Sequence, residues 1–294
     1  MPHHVRANNT AVRSVLTTRS EGVRMKTEPH AKEHEAKDTT LPEGETIYRA
    51  VRQDGDHALS LSSQDLAWSG LAAGISMGFS FAAEGLLQSH LPSAKWTPLV
   101  SKFGYAVGFL IVVLGRQQLF TEQTLTAMLP LLSRDRPHGV LWNVTRMWAV
   151  VLAANLVGAA IFAAATVWAP VFPADVHTEF ARIGHDAMAY GFSATLARAV
   201  FAGFLIATMI WLLPGAGPSR LWIVIIVAYV VGIGGFAHII AGSTECFYAL
   251  FTGQRSATDY VVNFLMPTFI GNATGGVALV AALAHAQHAP DESR

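Results

Sequence analysis

The sequence predicts an all-α membrane protein of six transmembrane helices, arranged as an inverted 3+3 repeat with broken second and fifth helices. Three observations carry this prediction. Apolar runs of about 20 residues, the length a helix needs to span a bilayer, recur six times after Asp65. Two of these runs end in interruptions rich in glycine and polar residues, Gly115 to Gln123 and Gly232 to Glu245. Motifs around the two interruptions follow the same order in each half of the chain.

The composition frames the elements. At 294 residues, 52% hydrophobic and 14% charged, with mean hydropathy +0.37, the chain is too apolar for an ordinary soluble enzyme. Its charge is concentrated at the start, where residues 1–59 hold 9 of 20 Lys and Arg and 9 of 20 Asp and Glu. The expected organisation is a polar, disordered cytosolic tail (1–59), a six-helix transmembrane domain (60–286) and a short polar C-terminal tail (287–294). A formal net charge of zero, with bases and acids mixed in the tail, gives no basis for a nucleic-acid partner. One cysteine, Cys246, excludes an internal disulfide framework and a cysteine zinc site, and His3, His4, His30, His34 and His57 match no ligand spacing. Arg6, Arg13 and Arg19 precede the first acid, Glu21, as in an organelle transit peptide, but the helical apolar face of such peptides is missing.

The spans run from Leu66 to Leu87, Leu99 to Leu114, Leu141 to Trp168, Ala194 to Leu213, Leu221 to Phe236 and Tyr260 to Leu283. The link from Ala169 to Tyr190, with Pro170, Pro173, Asp175, Glu179, Arg182 and Asp186, has the make-up of a surface helix. Six spans put both ends on one side. Loop cations are almost balanced, Arg134, Arg136 and Arg220 against Lys95, Lys102, Arg182 and Arg255, so the positive-inside rule decides little. The long charged tail, with nothing before Leu66 that has the apolar core of a secretory signal, leads to the expectation of a bacterial inner-membrane protein with both termini in the cytoplasm.

The halves match at three places. Thr121-Glu122 answers Thr244-Glu245, Asn155-x-x-Gly158 answers Asn272-x-x-Gly275, and Ala73-Gly74 answers Ala202-Gly203, at offsets of 123, 117 and 129. Three repeated helices must enter the membrane in opposite directions, because three is odd. This is the inverted repeat of transport proteins, with the site where the halves meet.

Backbone released from helical hydrogen bonding inside a membrane must be buried in protein or line a cavity. An ionisable residue there, His238, marks a substrate path. An anion in an apolar constriction loses hydration at a cost of several kcal/mol, on the order of the penalty for burying any unpaired charge. An imidazole can lend it a hydrogen bond or a proton. Thr121 would add a hydroxyl from the opposite break. Each residue also has a plainer role. His238 is satisfied by a backbone carbonyl, Thr121 bonds back to its own helix, and Leu119 and Phe120 pack. Arg116, Glu122 and Glu245 fix the loops by pairing, and Glu84 and Arg198 do likewise or lie near the surface. No paired carboxylates, nucleophile motif, cofactor fingerprint or metal cluster stands at usable spacing, so no catalytic residue, cofactor or metal is expected.

Leu119-Phe120-Thr121 after Gly115, Gly235-Phe236-x-His238, and Ile270-Gly271-Asn272-x-x-Gly275-Gly276 resemble the formate/nitrite transporter family over residues 62–286. The resemblance implies an aquaporin-like fold and a homopentamer whose protomers each hold a pore for small monovalent anions or their weak acids. It implies that His238 is the central pore histidine and that Leu119, Phe120 and Thr121 line one constriction. Alignment by position adds Tyr105, Phe109, Ile210 and Val231 near the apolar constrictions. The branch is a divergent one: Ile239-Ile240-Ala241-Gly242 stands where the family usually has Ser-x-Ala-Asn. Gln118 and Glu122 replace an acid and a small residue, Ala207 or Thr208 falls where the fourth helix usually has asparagine, and no lysine follows Lys102. Two other functions fit the same six helices. One is a pore for neutral small solutes, and the other is a non-transporting scaffold that acts through its N-terminal tail.

Overall fold

The computed structural model describes residues 44–132 and 139–281, and every regular element among them is helical. Helix α1 (Gly44–Ser60) precedes α2 (Ser63–Ser89), α3 (Thr97–Leu114) and α4 (Phe120–Thr126, continued by Met128–Leu132). Then come α5 (Val140–Trp168), α6 (Ala174–Ala187), α7 (Phe192–Leu212), α8 (Arg220–Ile233) and α9 (Ile239–Phe251). The last helix, α10, runs from Ala257–Asp259 through Tyr260–Leu265 and Met266–Thr274 to Gly275–Ala281. Helices α2, α3, α5 and α7 are long and apolar enough to cross a membrane, and α8 and α9 are shorter apolar helices. The surface helix expected after the third span is α6. Its buried residues Val176, Phe180, Ile183 and Gly184 are spaced as one helical face.

Outside the bundle, Trp68, Trp142, Trp168 and Trp222 are each more than 60% exposed, among many exposed leucines, isoleucines and phenylalanines. An apolar surface on this scale is matched to lipid, and indoles favour the membrane interface. The core is apolar too, so the helices are apolar nearly all round.

Residues 44–59 correct the sequence expectation. Composition assigned them to the disordered tail, yet they form α1. Ile47, Val51, Gly55 and Ala58 fall on one face of α1, and the helix packs that face on the bundle. A Cβ on Gly55 would lie 2.1 Å from the Thr126 carbonyl oxygen. Arg146 of α5 fastens the link after α1, donating to the Leu59 and Leu61 carbonyls at 3.2 and 3.0 Å. The remaining tail residues, 1–43 and 282–294, and the loop arginines Arg134 and Arg136 lie outside the described residues.

Two triplets build the bundle, α2, α3/α4 and α5 against α7, α8/α9 and α10. Within each, the outer two helices touch backbone to backbone. A Cβ on Gly74 of α2 would meet the Asn155 carbonyl of α5 at 2.1 Å, and one on Gly203 of α7 would meet the Asn272 carbonyl of α10 at 2.3 Å. The Ala-Gly pairs and the Asn-x-x-Gly motifs are thus two sides of one contact, made twice. Helices α3 and α8 cross where Tyr105 sits against Gly232.

Candidate functional site

Both breaks are built alike. At the end of α3 the Gly115 and Gln117 amides bond to the Ile111 and Val112 carbonyls; at the end of α8 the Gly234 and Phe236 amides bond to the Val230 and Val231 carbonyls. The residue that turns the chain is left-handed in both, Arg116 at φ +50° and Gly235 at φ +57°. This is a Schellman cap. Beyond it each chain dives inward. Arg116 is exposed and pairs with Asp54 of α1 at 3.5 Å, whereas Leu119, Phe120 and Thr121 have no exposed surface. Likewise Gly235 is open, while His238 is 1% exposed and Ile239 fully buried.

Two asparagines pin the inward tips. Asn155 accepts from the Phe120 amide at 2.9 Å and donates to the Gly70 and Gln118 carbonyls at 2.7 and 2.9 Å. Asn272 accepts from the Ile239 amide at 2.9 Å and donates to the Ala199 and Ala237 carbonyls at 2.8 and 2.9 Å. Each side chain satisfies groups that the break released, in an interior where an unpaired polar group is costly. The hydrogen bonds also fix the register of the repeat. Phe120 corresponds to Ile239 and Gln118 to Ala237, an offset of 119. The Thr-Glu pairing at offset 123 is therefore not the structural one. His238 corresponds to Leu119, and Glu245 to Thr126.

Where the tips meet, Thr121 Oγ1 and His238 Nε2 are 2.8 Å apart. His238 Nδ1 accepts from the Ala241 amide at 3.3 Å and so caps the first turn of α9. A backbone donor at Nδ1 leaves the proton of a neutral ring on Nε2, which donates it to Thr121. Thr121 spends its oxygen on the histidine rather than on its own helix, and its hydroxyl hydrogen remains for a third group. Phe109 lies edge-on to the His238 ring at 5.0 Å, with Tyr105 next to it at 5.6 Å.

A cavity of about 440 Å³ beside α6 reaches His238. Its mouth is charged, with Glu84, Lys102, Arg182, Asp186, Arg198 and Glu245; its deep end has Tyr105, Val231, Gly232, Phe264 and His238. Lys102 bonds to Glu84, and Arg198 donates to the Gly235 carbonyl at 2.8 Å while lying 4.0 Å over the Tyr190 ring.

Of the residues the sequence singled out, His238, Thr121, Phe109, Tyr105 and Val231 come together. Leu119 is buried just before α4, and Phe120 stacks on Phe269 and meets Trp148 edge-on, with its amide bound by Asn155. Ile210 packs against both the main core and the cluster of Val51 of α1 and Leu129 of α4, and it does not line the cavity. Among the described residues the charges at the two breaks do not pair with each other: Arg116 meets Asp54, Glu122 has a buried oxygen without a partner, and Glu245 faces the cavity. Asn155 and Asn272 were visible only as a repeated motif, and the charged mouth draws on four separate elements, α2, α3, α6 and α9, together with Arg198 of α7.

A family model described as formate/nitrite transporter matches residues 45–286. The chain is 38% identical over 247 residues to inner membrane protein YfdC of Escherichia coli (strain K12), covering 84% of this chain and 79% of that one. It is 32% identical over 102 residues to the formate channel FocA of Haemophilus influenzae, a match covering 34% of each. Among solved structures, a pentameric formate channel with formate bound superposes with TM-score 0.64 at 20% identity, covering 75% of this chain and 95% of that one. An FNT family ion channel superposes with TM-score 0.72 at 18% identity, covering 83% and 99%. At these identities the two structures bear on the fold.

Proposed function

The chain belongs to the formate/nitrite transporter family, and from that premise we propose that it passes small monovalent anions, or their weak acids, through a pore centred on His238 and Thr121. It is an integral membrane protein of a transporter family and not an enzyme. The observation that carries the proposal is the 2.8 Å contact between Thr121 Oγ1 and His238 Nε2, with His238 lining the cavity.

A substrate reaching the end of the cavity meets the positive end of α9 and a hydroxyl hydrogen from Thr121, whose oxygen is held by the His238 N–H. Both favour an acceptor-rich, negatively polarised group. Tyr105, Phe109 and Val231 form the apolar collar around it, where Leu119 and Phe120 complete the wall from the first repeat. A bare charge in such a collar loses its hydration, while a hydrogen-bonded or protonated species keeps a partner. The functional unit in this reading is a homopentamer with one pore per protomer; a solved structure of the same fold is titled a pentameric formate channel. Both termini face the cytoplasm of an inner membrane, with the polar residues before α1 as a cytosolic tail.

The test is flux into liposomes holding the purified protein, with formate, nitrite, acetate, hydrosulfide and glycerol as the panel. Uptake of one or more of the four acids or anions above that of protein-free vesicles is expected. Uptake of glycerol alone would mean a neutral pore. Uptake of none would return attention to a scaffold role for the tail.

A further inference from the structure

Helix α7 holds the His238 segment from two neighbouring residues. Ala199 does so through Asn272, whose side chain donates to the Ala199 carbonyl while binding the Ile239 amide and the Ala237 carbonyl. Arg198 does so directly. Its Nε donates to the Gly235 carbonyl at 2.8 Å, a charge-assisted bond, and its guanidinium carbon lies 4.0 Å over the Tyr190 ring, a cation–π contact. A Cβ on Gly235 would lie 2.3 Å from Arg198 Nη2. Glycine is thus required there twice, for its left-handed φ of +57° and to admit the guanidinium.

The first repeat contains the counterpart. Asn155 donates to the Gly70 carbonyl of α2 as Asn272 donates to the Ala199 carbonyl of α7, an offset of 129 that pairs Ser69 with Arg198. Ser69 also reaches its own break, its Oγ accepting from the Gln118 amide at 3.0 Å. Each half therefore holds its break twice, by an asparagine of its last helix and by a side chain of its first. The halves differ at the turn. The turning residue of the first break is Arg116, whose own side chain is tied to Asp54. That of the second, Gly235, has no side chain, and the Arg198 guanidinium takes the space a Cβ would fill. His238 lies between Gly235 and Ile239, so the bonds from Arg198 and Asn272 bracket it. Without the Arg198 bond the bracket is open on the cavity side, where Gly235, Phe236 and Ala237 are part of the wall.

We propose that Arg198, steadied by the Tyr190 ring, is a positioning residue for the pore: it fixes the second break so that His238 Nε2 stays on Thr121. The ring lies against the flat face of the guanidinium and leaves the Nε edge for the Gly235 carbonyl. In this role Arg198 acts through the backbone before His238 and makes no contact with the substrate. The inference rests on the transport function proposed above.

The experiment compares the full chain as wild type, Arg198→Ala, Arg198→Lys, Tyr190→Leu and Ser69→Ala. Hydrogen–deuterium exchange is read in micelles for two peptides, one spanning residues 234–242 and one spanning 115–123, and uptake of labelled formate is read in liposomes against its concentration. Arg198→Ala is expected to exchange about tenfold faster in the 234–242 peptide, the scale of one charge-assisted hydrogen bond, and to leave the 115–123 peptide unchanged. Ser69→Ala should give the reverse pattern. The maximal rate of formate uptake by Arg198→Ala should fall about tenfold, with the half-saturating concentration within about twofold of wild type. Arg198→Lys keeps a charged donor without the flat guanidinium and should recover part of both losses, and Tyr190→Leu should show part of them. If Arg198→Ala does not fold, Arg198→Lys and Tyr190→Leu carry the same comparison. Wild-type exchange in the 234–242 peptide of the Arg198 variants overturns the proposal, and so does faster exchange in both peptides alike. A raised half-saturating concentration at an unchanged maximal rate also overturns it, because Arg198 would then be a contact for the anion. If wild type takes up neither formate nor any other weak acid, the transport function falls, while the exchange comparison, which needs no transport, still decides whether Arg198 holds the break.

Discussion

Replacing Asn272 with alanine tests whether the two asparagines hold the pore together. The change removes the acceptor of the Ile239 amide and the donors to the Ala199 and Ala237 carbonyls. Ala199 lies inside α7 and keeps its helical hydrogen bond, so two backbone groups are orphaned, the Ile239 N–H and the Ala237 C=O. Leaving such a group unpaired in the interior costs about 1–3 kcal/mol, so Asn272→Ala is expected to lose about 2–6 kcal/mol. Asn272→Asp keeps the acceptor and should fall in between. Equilibrium unfolding in mixed detergent micelles reads the loss, and Asn155→Ala should match it within a factor of about two, because Asn155 makes the equivalent three bonds. An Asn272→Ala protein that unfolds within about 0.5 kcal/mol of wild type would refute the reasoning, since that is the range of a substitution that touches nothing important.

Thr121→Val removes the hydroxyl that meets His238 while keeping the shape; flux of the transported anion is expected to fall at least tenfold, and Thr121→Ser to retain most of it, both read in liposomes. Lys102→Met strips the partner from Glu84, whose side chain is 2% exposed, and should destabilise the protein by about 3–5 kcal/mol as an unpaired buried charge does. The Lys102→Met, Glu84→Gln double variant should recover most of that loss in the same unfolding assay.

Much of the fold was legible because membrane spans announce themselves by length and hydropathy, and because breaks within them are rare. The position of each break was legible for the same reason. Its register was not. Thr-Glu recurs by identity at offset 123, but the equivalence that matters is made by backbone amides, Phe120 with Ile239, whose side chains need not agree. The left-handed residue is glycine in one half and Arg116 in the other, so the cap left no common letter. Helix α1 was hidden by averaging: a tail of 59 residues is polar as a whole, while Ile47, Val51 and Ala58 keep helical spacing within it. Ile210, reached by counting along α7, packs on the main core and on the cluster of α1 and α4 and does not line the cavity. His238 stood out in sequence because a histidine in an apolar stretch demands a partner. That the partner is Thr121, 117 residues earlier, is a property of the folded chain.

The most direct test of the central claim is flux between about pH 5 and 8, the range around the ordinary pKa of an imidazole, for wild type and His238→Asn in liposomes. The account predicts that the variant, which keeps a hydrogen-bonding side chain but loses the ring that meets Thr121 and caps α9, changes both the pH profile and the order of preference among formate, nitrite and acetate. A variant with the wild-type profile and the same preferences would contradict it.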